Sequence, residues 1–224
     1  METAEKLGPS QAVLRWVRLP QQARTRATLT RLLDAAEALL DEKSFDEISI
    51  AEIARRAGSS VGGFYRRFRD KEGLLHALHE RFCDDARATT DEVLDPTTWA
   101  GAPLTEVLAR ITAFLVEIHR QREGLFRAFL LRGVTNESVR ERTARLFQYM
   151  GESMSVLLRE RIDEVRHPDP ETAAAFALQV VIGTLDQAIH IQPTTSIFSD
   201  ERLTEELTRV FTSYLGVVDS SAAA

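Results

Sequence analysis

Cysteine occurs once in 224 residues, at Cys83, so no disulfide can close within the chain and a reducing, cytoplasmic compartment is expected. No run of eighteen apolar residues is present, and no membrane contact is expected. The opening METAEKLGPS carries acids and no apolar core, so it does not read as a secretory signal. Aromatic residues make up 7% of the chain and apolar/polar alternation is scarce, which argues against a sheet. There is no glycine-rich phosphate loop, G-x-S-x-G, H-E-x-x-H or paired C-x-x-C. Neither an enzyme nor a cofactor is expected.

Ala, Leu, Arg and Glu are abundant instead, and with 44% hydrophobic and 28% charged residues they point to an all-α globular protein. The charge is uneven. Residues 1–83 hold 14 Lys and Arg against 12 Asp and Glu, and the remainder holds 14 against 22. An acidic bulk with a locally basic end suits a protein that meets nucleic acid on one face.

That basic end contains SIAEIARRAGSSVGGFYRRF, Ser49 to Phe68. Ser49 and Glu52 have the spacing of a capping box, in which each side chain satisfies a backbone N–H that the helix start leaves unpaired. Ile50, Ile53, Ala54 and Ala57 give one apolar face, and Gly58 stands where a left-handed turn ends a helix. Ser59 and Ser60 offer a new N-cap. The pattern is a helix-turn-helix, whose second helix enters a DNA major groove. Gly62 and Gly63 each cost that helix about 1 kcal/mol in propensity, but they let backbone approach a ligand closely. Phe64 and Phe68 anchor it, while Tyr65, Arg66 and Arg67 suit phosphate oxygens.

Arg24 to Phe82 resembles the DNA-binding domain of the tetracycline-repressor (TetR) family of transcriptional regulators. The matching positions are Ser49, Ile53-Ala54, Ala57-Gly58, Tyr65, Phe68, Lys71-Glu72 and Leu74. Ser59 replaces the family's usual Val, and Val61 stands where a polar or basic residue is common, so base readout by Val61 has to be apolar, for example against a thymine methyl. The residues expected at DNA are Ser49, Ser60, Val61, Gly62, Gly63, Tyr65, Arg66, Arg67 and Lys71, the last at the start of a fourth helix.

In chain order, residues 1–23 form a basic arm. Arg15, Arg18, Arg24, Arg26 and Arg31 fall in an acid-free stretch that either tracks phosphates or is a solvated tail. Residues 24–70 form the three-helix DNA-binding domain, with Phe45 and Ile48 plugging its core. Residues 71–218 form a helical ligand-binding and dimerisation domain, and 219–224 a disordered tail. About nine helices are expected in all. On the fourth helix, His76, His79 and Cys83 share a face with Glu80 alongside. This is either a metal-capable set or a mixed interface with an inert thiol; because one helix rarely completes a tetrahedral site, no metal is assigned. Helices are expected over Leu104 to Arg120, Glu123 to Arg132, residues 137–166, Pro170 to about Ile191, and Asp200 to about Leu215.

The helix from Pro170 is apolar nearly all round, which requires burial on more than one side. Paired with the last helix, it is expected to close a four-helix interface in a homodimer through Val181, Leu185, Leu207 and Phe211. The resemblance implies the same pairing, with two recognition helices reading a palindromic operator in double-stranded DNA. It also implies a small ligand among the middle helices that releases DNA. Phe114, Phe126, Phe129, Phe147, Met150, Met154 and Phe176 are the candidate apolar lining, and His119, Gln179 and Thr184 the polar anchors. A regulator of the same fold without a small-molecule inducer is the alternative.

Overall fold

A computed structural model describes residues 23–190 and 198–218, with side chains from residue 27 to 189 and from 198 to 218. The arm residues Arg15 and Arg18, the side chains of Arg24 and Arg26, and the tail 219–224 lie outside the described residues. Nine α-helices are described, and no strand is found among the described residues. They are α1 (Ala23–Leu40), α2 (Ile50–Arg56), α3 (Val61–Tyr65), α4 (Lys71–Val93), α5 (Leu104–Gln121), α6 (Glu123–Gly133), α7 (Glu137–Arg159), α8 (Pro170–His190) and α9 (Asp200–Leu215).

Two apolar cores divide the molecule. The head core joins Leu32, Leu39, Phe45, Ile48, Ile53, Phe64 and Phe68 to Leu74, Leu75 and Leu78 of α4. It also takes in Leu125, Ala128 and Phe129 of α6, so the head is built partly from what the sequence assigned to the body. The body core packs α5, α7, α8 and α9 together, with Met154, Leu157, Ala173, Ala174, Ala177 and Phe211 at its centre. The helix expected over 137–166 ends at Arg159. The chain then turns through a short 3-10 segment, Ile162–Glu164, that lets Val165 enter the core. Arg161 holds this turn against the 95–103 loop by donating to the carbonyls of Trp99 and Ala102, each at 2.6 Å.

Helix α8 has the length and mean hydropathy of a membrane span, 1.4 over Pro170–Ile189. Its apolar residues have a simpler use, since Ala173, Ala174, Ala177 and Val181 are completely enclosed by neighbouring helices.

Head and body meet along a seam whose closest point is Gly124. A methyl group added there would stand 2.1 Å from the Leu40 carbonyl oxygen and 2.5 Å from its carbon, so α6 begins directly against the end of α1. Around this contact, Glu37 of α1 receives Arg81 of α4 at 2.6 Å and Arg122 at 2.7 Å. Arg132 of α6 reaches Asp46 at 2.5 Å and Glu72 at 3.2 Å.

A second, polar seam joins α4 to α7, and the histidines of the possible metal set belong to it. Asn136 Nδ2 donates to His76 Nε2 at 3.1 Å. Arg142 Nη1 donates to His79 Nδ1 at 3.1 Å, so His79 carries its proton on Nε2 and donates to Thr143 Oγ1, also at 3.1 Å. Burial first, then Arg142 and His76, lower the His79 pKa to about 4. Burial raises that of the Cys83 thiol, 3.9 Å from His79. No group of three or more metal-capable side chains is gathered among the described residues.

Two predictions follow from these seams. Ala at Gly124 forces α6 away from rigid backbone and should lower stability by about 1–3 kcal/mol. The control Gly133→Ala meets nothing within 4 Å and should be neutral or slightly stabilising. Equal urea midpoints for the two variants would refute the close contact. The second concerns pH. Between pH 6.5 and 4 the unfolded chain takes up a proton that folded His79 refuses, so stability falls as pH drops through that window and is flat in this term above it. The slope from this group approaches about 1.4 kcal/mol per pH unit, and His79→Gln should remove it from the pH series of unfolding free energies.

Candidate nucleic-acid interface and cavity

The helix-turn-helix is built as the sequence indicates. Ser49 Oγ accepts from Glu52 N at 3.2 Å, and the Glu52 carboxylate accepts from Ser49 N at 2.9 Å, completing the capping box. Lys43 at 2.5 Å and then Ser49 hold the Glu52 pKa down to about 2. At the other end Gly58 takes φ +59°. Ser59 N bonds to the Ala54 carbonyl at 2.9 Å and Gly58 N to that of Arg55 at 3.1 Å, the two bonds of a Schellman turn. Arg31 Nε also donates to the Ala57 carbonyl at 3.2 Å, so this arginine of the basic stretch is a fixture of the turn.

Ser60 then caps α3 by accepting from Gly63 N at 3.0 Å. Phe64 is fully buried and lies 5.2 Å from Phe68, ring centre to ring centre, so the short helix is held by its aromatic side. The opposite side is open. Val61 and Tyr65 are exposed by 42% and 54%, and Gly62 is bare beside them. Arg66, Arg67 and Arg69 enter no ion pair among the described residues, and Arg67 Nε is buried without a hydrogen-bond partner there. Unpaired guanidinium groups beside an exposed helix are a phosphate-binding arrangement.

Two expected DNA residues are placed otherwise. Gly63 is buried, and a methyl there would stand 2.4 Å from Ser59 Oγ and displace that rotatable hydroxyl, so its backbone is less open than that of Gly62. Gly62, whose added methyl would meet only Ser60 Oγ at 3.8 Å, is the glycine with an open backbone. Lys71 Nζ donates to the carbonyls of Phe45, Asp46 and Ile48 at 2.7, 3.1 and 2.8 Å, and lies 4.7 Å above the Phe45 ring. It staples the loop before α2 and has no donor left for a phosphate.

In the body, a cavity of about 1630 Å³ opens between α4, α5, α6, α7 and α8. Phe114, His119, Phe126, Phe129, Phe147, Met150 and Met154 line it, as expected from the sequence. Phe176, Gln179 and Thr184 do not. Phe176 and Gln179 are exposed on the outer face of α8, and the Thr184 hydroxyl bonds back to the Val180 carbonyl at 2.8 Å. The expected dimer residues fail for the converse reason. Val181, Leu185, Leu207 and Phe211 are 0–4% exposed within the single chain and belong to its core, unavailable to a partner. Outward on α8 and α9 stand Phe176, Val210 and Tyr214, with the Phe176 and Tyr214 rings 5.3 Å apart.

The sequence reading missed that the cavity reaches the head. Asp34 and Glu37 of α1, with Arg81 and Arg122, lie in its wall and form the ion-paired seam described above. Only Gly124, a glycine in the first turn of a helix with no turn to make, hinted at that contact.

Comparisons with known proteins agree with this architecture. Residues 32–78 match the family described as bacterial regulatory proteins, tetR family, and residues 103–215 match the tetracyclin repressor-like C-terminal domain. An uncharacterized HTH-type transcriptional regulator of Bacillus subtilis, YvdT, is 36% identical over 62 residues, 28% of this chain and 31% of its own length. The HTH-type transcriptional regulator BetI of Yersinia pestis is 49% identical over 47 residues, 21% of this chain and 24% of its own. The chain thus spans less than a third of either relative. Among solved structures, a TetR-family regulator from Mesorhizobium loti aligns with TM-score 0.71 at 19% identity, covering 87% of this chain and 98% of that one. A transcriptional regulator from Rhodococcus sp. aligns at 0.66 and 23%, covering 88% and 100%. With a helix-turn-helix carrying unpaired arginines and both halves matched, the chain belongs to the TetR family of DNA-binding transcriptional regulators, not enzymes.

Proposed function

We propose that this protein is a homodimeric repressor that leaves a palindromic operator when a small apolar molecule enters the body cavity. The observation that carries this reading is the shared wall: Glu37, Arg81 and Arg122 both bound the cavity and tie the body to α1 of the head. A guest pressing on them acts on the orientation of the helix-turn-helix. The outer face of α8 and α9, with Phe176, Val210 and Tyr214, supplies the apolar patch for a two-fold partner. In such a dimer the recognition helices have to lie about 34–36 Å apart to enter successive major grooves on one side of DNA. Val61 reads a thymine methyl, Gly62 admits close backbone approach, and Tyr65, Arg66 and Arg67 hold phosphates.

Footprinting on DNA beside its own coding region locates the operator, and titrating apolar compounds into the complex tests release. A protein that protects the site but is never displaced is the regulator without an inducer. Salt dependence sorts the cations. Arg66→Ala or Arg67→Ala should lower the slope of log affinity against log salt by about 1 each. Lys71→Ala should leave the slope unchanged and lower stability by about 1–3 kcal/mol, because it strands three carbonyls. A reduced slope for Lys71→Ala would return that residue to the interface.

The dimer face has its own test. Phe176→Asp should sediment as a folded monomer with weakened operator binding, while Val181→Asp should unfold because its site is enclosed within one chain. A dimeric Phe176→Asp protein would move the interface elsewhere.

A further inference from the structure

The cavity has one polar place that its own protein atoms leave incomplete. His119, on α5, is 6% exposed and stacks on Phe126 of α6, with ring centroids 4.2 Å apart and planes at 9°. Its Nδ1 lies 2.7 Å from the Leu115 carbonyl oxygen. A carbonyl only accepts, so Nδ1 bears the proton, and the tautomer with a single ring proton presents a bare lone pair at Nε2. That atom is buried and has no hydrogen-bond partner among the described residues. Facing it, 3.5 Å away, is Oδ1 of Asp186 on α8, which also lines the cavity. With that tautomer, two acceptors face each other with no donor between them.

The nearby basic side chains are engaged elsewhere. Arg120 pairs with Asp200 at 3.0 Å and Glu123 at 3.7 Å, and Arg122 pairs with Glu37. No Lys or Arg pairs with Asp186 among the described residues. The surroundings are apolar, with Phe114, Leu115, Ile118, Phe126 and Ile182 in the same wall.

Resting on the cavity as the ligand site, we propose that its ligand is an aryl-bearing amine whose ammonium group sits against both His119 Nε2 and Asp186 Oδ1. Two acceptors 3.5 Å apart form the base of a triangle whose apex, about 2.9 Å from each, suits one nitrogen with two N–H groups to give. An ammonium supplies those donors and the positive counter-charge that no Lys or Arg among the described residues gives Asp186. A hydroxyl supplies one donor and no charge, so it satisfies one acceptor and strands the other. A carboxylate meets a lone pair and a negative charge, with nothing to bind. The aryl part packs against the phenylalanines that line the rest of the cavity, where an offset or edge contact and ammonium–π attraction add to burial.

The test uses the full chain and three probes that differ only in their head group: 4-phenylbutylamine, 4-phenylbutan-1-ol and 4-phenylbutanoate, titrated calorimetrically at neutral pH. The amine should bind about tenfold or more tighter than the alcohol, and the carboxylate weakest. In Asp186→Asn the amine's advantage over the alcohol should fall to near parity. The ranking in the unaltered protein stands whether or not that variant folds. An alcohol or carboxylate that binds as tightly as the amine overturns the proposal, as does an amine advantage that survives in Asp186→Asn. If the alcohol binds as tightly as the amine and displaces the operator, the amine assignment falls and the cavity remains the ligand site. If none of the three binds or affects the operator complex, both fall.

Discussion

The contact of Gly124 with the Leu40 carbonyl governs how the two halves of this protein communicate. It is backbone against backbone, so neither side can yield by changing a rotamer, and packed interfaces of this kind are stiff over tenths of an ångström. Helix α1 in turn carries Leu32 and Leu39 into the head core, against the same Phe64 that anchors the recognition helix. On the proposed reading, a rotation of α6 would be passed through this contact to α1 and on to the recognition helix. The ion pairs around this point, Glu37 with Arg81 and Arg122, are partly exposed and are worth at most about 1 kcal/mol each. They set the preferred angle; the glycine contact makes the angle matter.

The recognition surface is lean in specific chemistry. Its helix has five residues, two of them glycine, and no side chain capable of bidentate pairing with a base edge lies among them. On the proposed reading, affinity comes largely from Tyr65 and the unpaired arginines on phosphates, and discrimination from the shape of DNA together with one apolar contact at Val61. A short helix of this composition does not fold alone. It is held by the Ser60 cap, by Phe64 and Phe68, and by the Schellman turn before it, which explains why Arg31 and Lys71, both plausible phosphate ligands, are spent on carbonyls of the surrounding loops.

How far the sequence could be read depends on what each residue's role requires. The capping box at Ser49 and Glu52, the stop at Gly58 and the anchors Phe64 and Phe68 are local, and spacing alone finds them. Six of the seven expected apolar lining residues, Phe114, Phe126, Phe129, Phe147, Met150 and Met154, follow from helices whose inner face is unambiguous, and the polar anchor His119 joins them in the cavity wall. The reading went wrong on α8, where residues are apolar all round and periodicity cannot say which side faces the same chain. The sequence places Phe176 inward and Val181 outward, and the structure exchanges them, at 50% and 0% exposed. The partners of Lys71 are carbonyls, which every residue has and no pattern marks, so its role in the loop is not legible from sequence. Gly63 and Gly62 are adjacent and alike in sequence, and only the position of Ser59 separates them.

Magnitudes show that the seam is adequate for a switch. Releasing an operator by a hundredfold loss of affinity requires a coupling free energy of about 2.7 kcal/mol, within the usual 1–3 kcal/mol range for allosteric proteins. Two partly exposed ion pairs at Glu37, together with the strain of shifting α6 against Leu40, amount to a term of that order. The second seam is built differently. His79 is neutral, buried and bonded at both ring nitrogens to α7, so parting α4 from α7 would strand two donors and two acceptors. Between a marginal ionic seam at the head and a fully satisfied polar seam at α7, the proposed guest would shift the first more easily. On the proposed ligand-release reading the head turns about α4 as a body anchored at His79, and reciprocity then requires that operator DNA weaken the guest by the same factor.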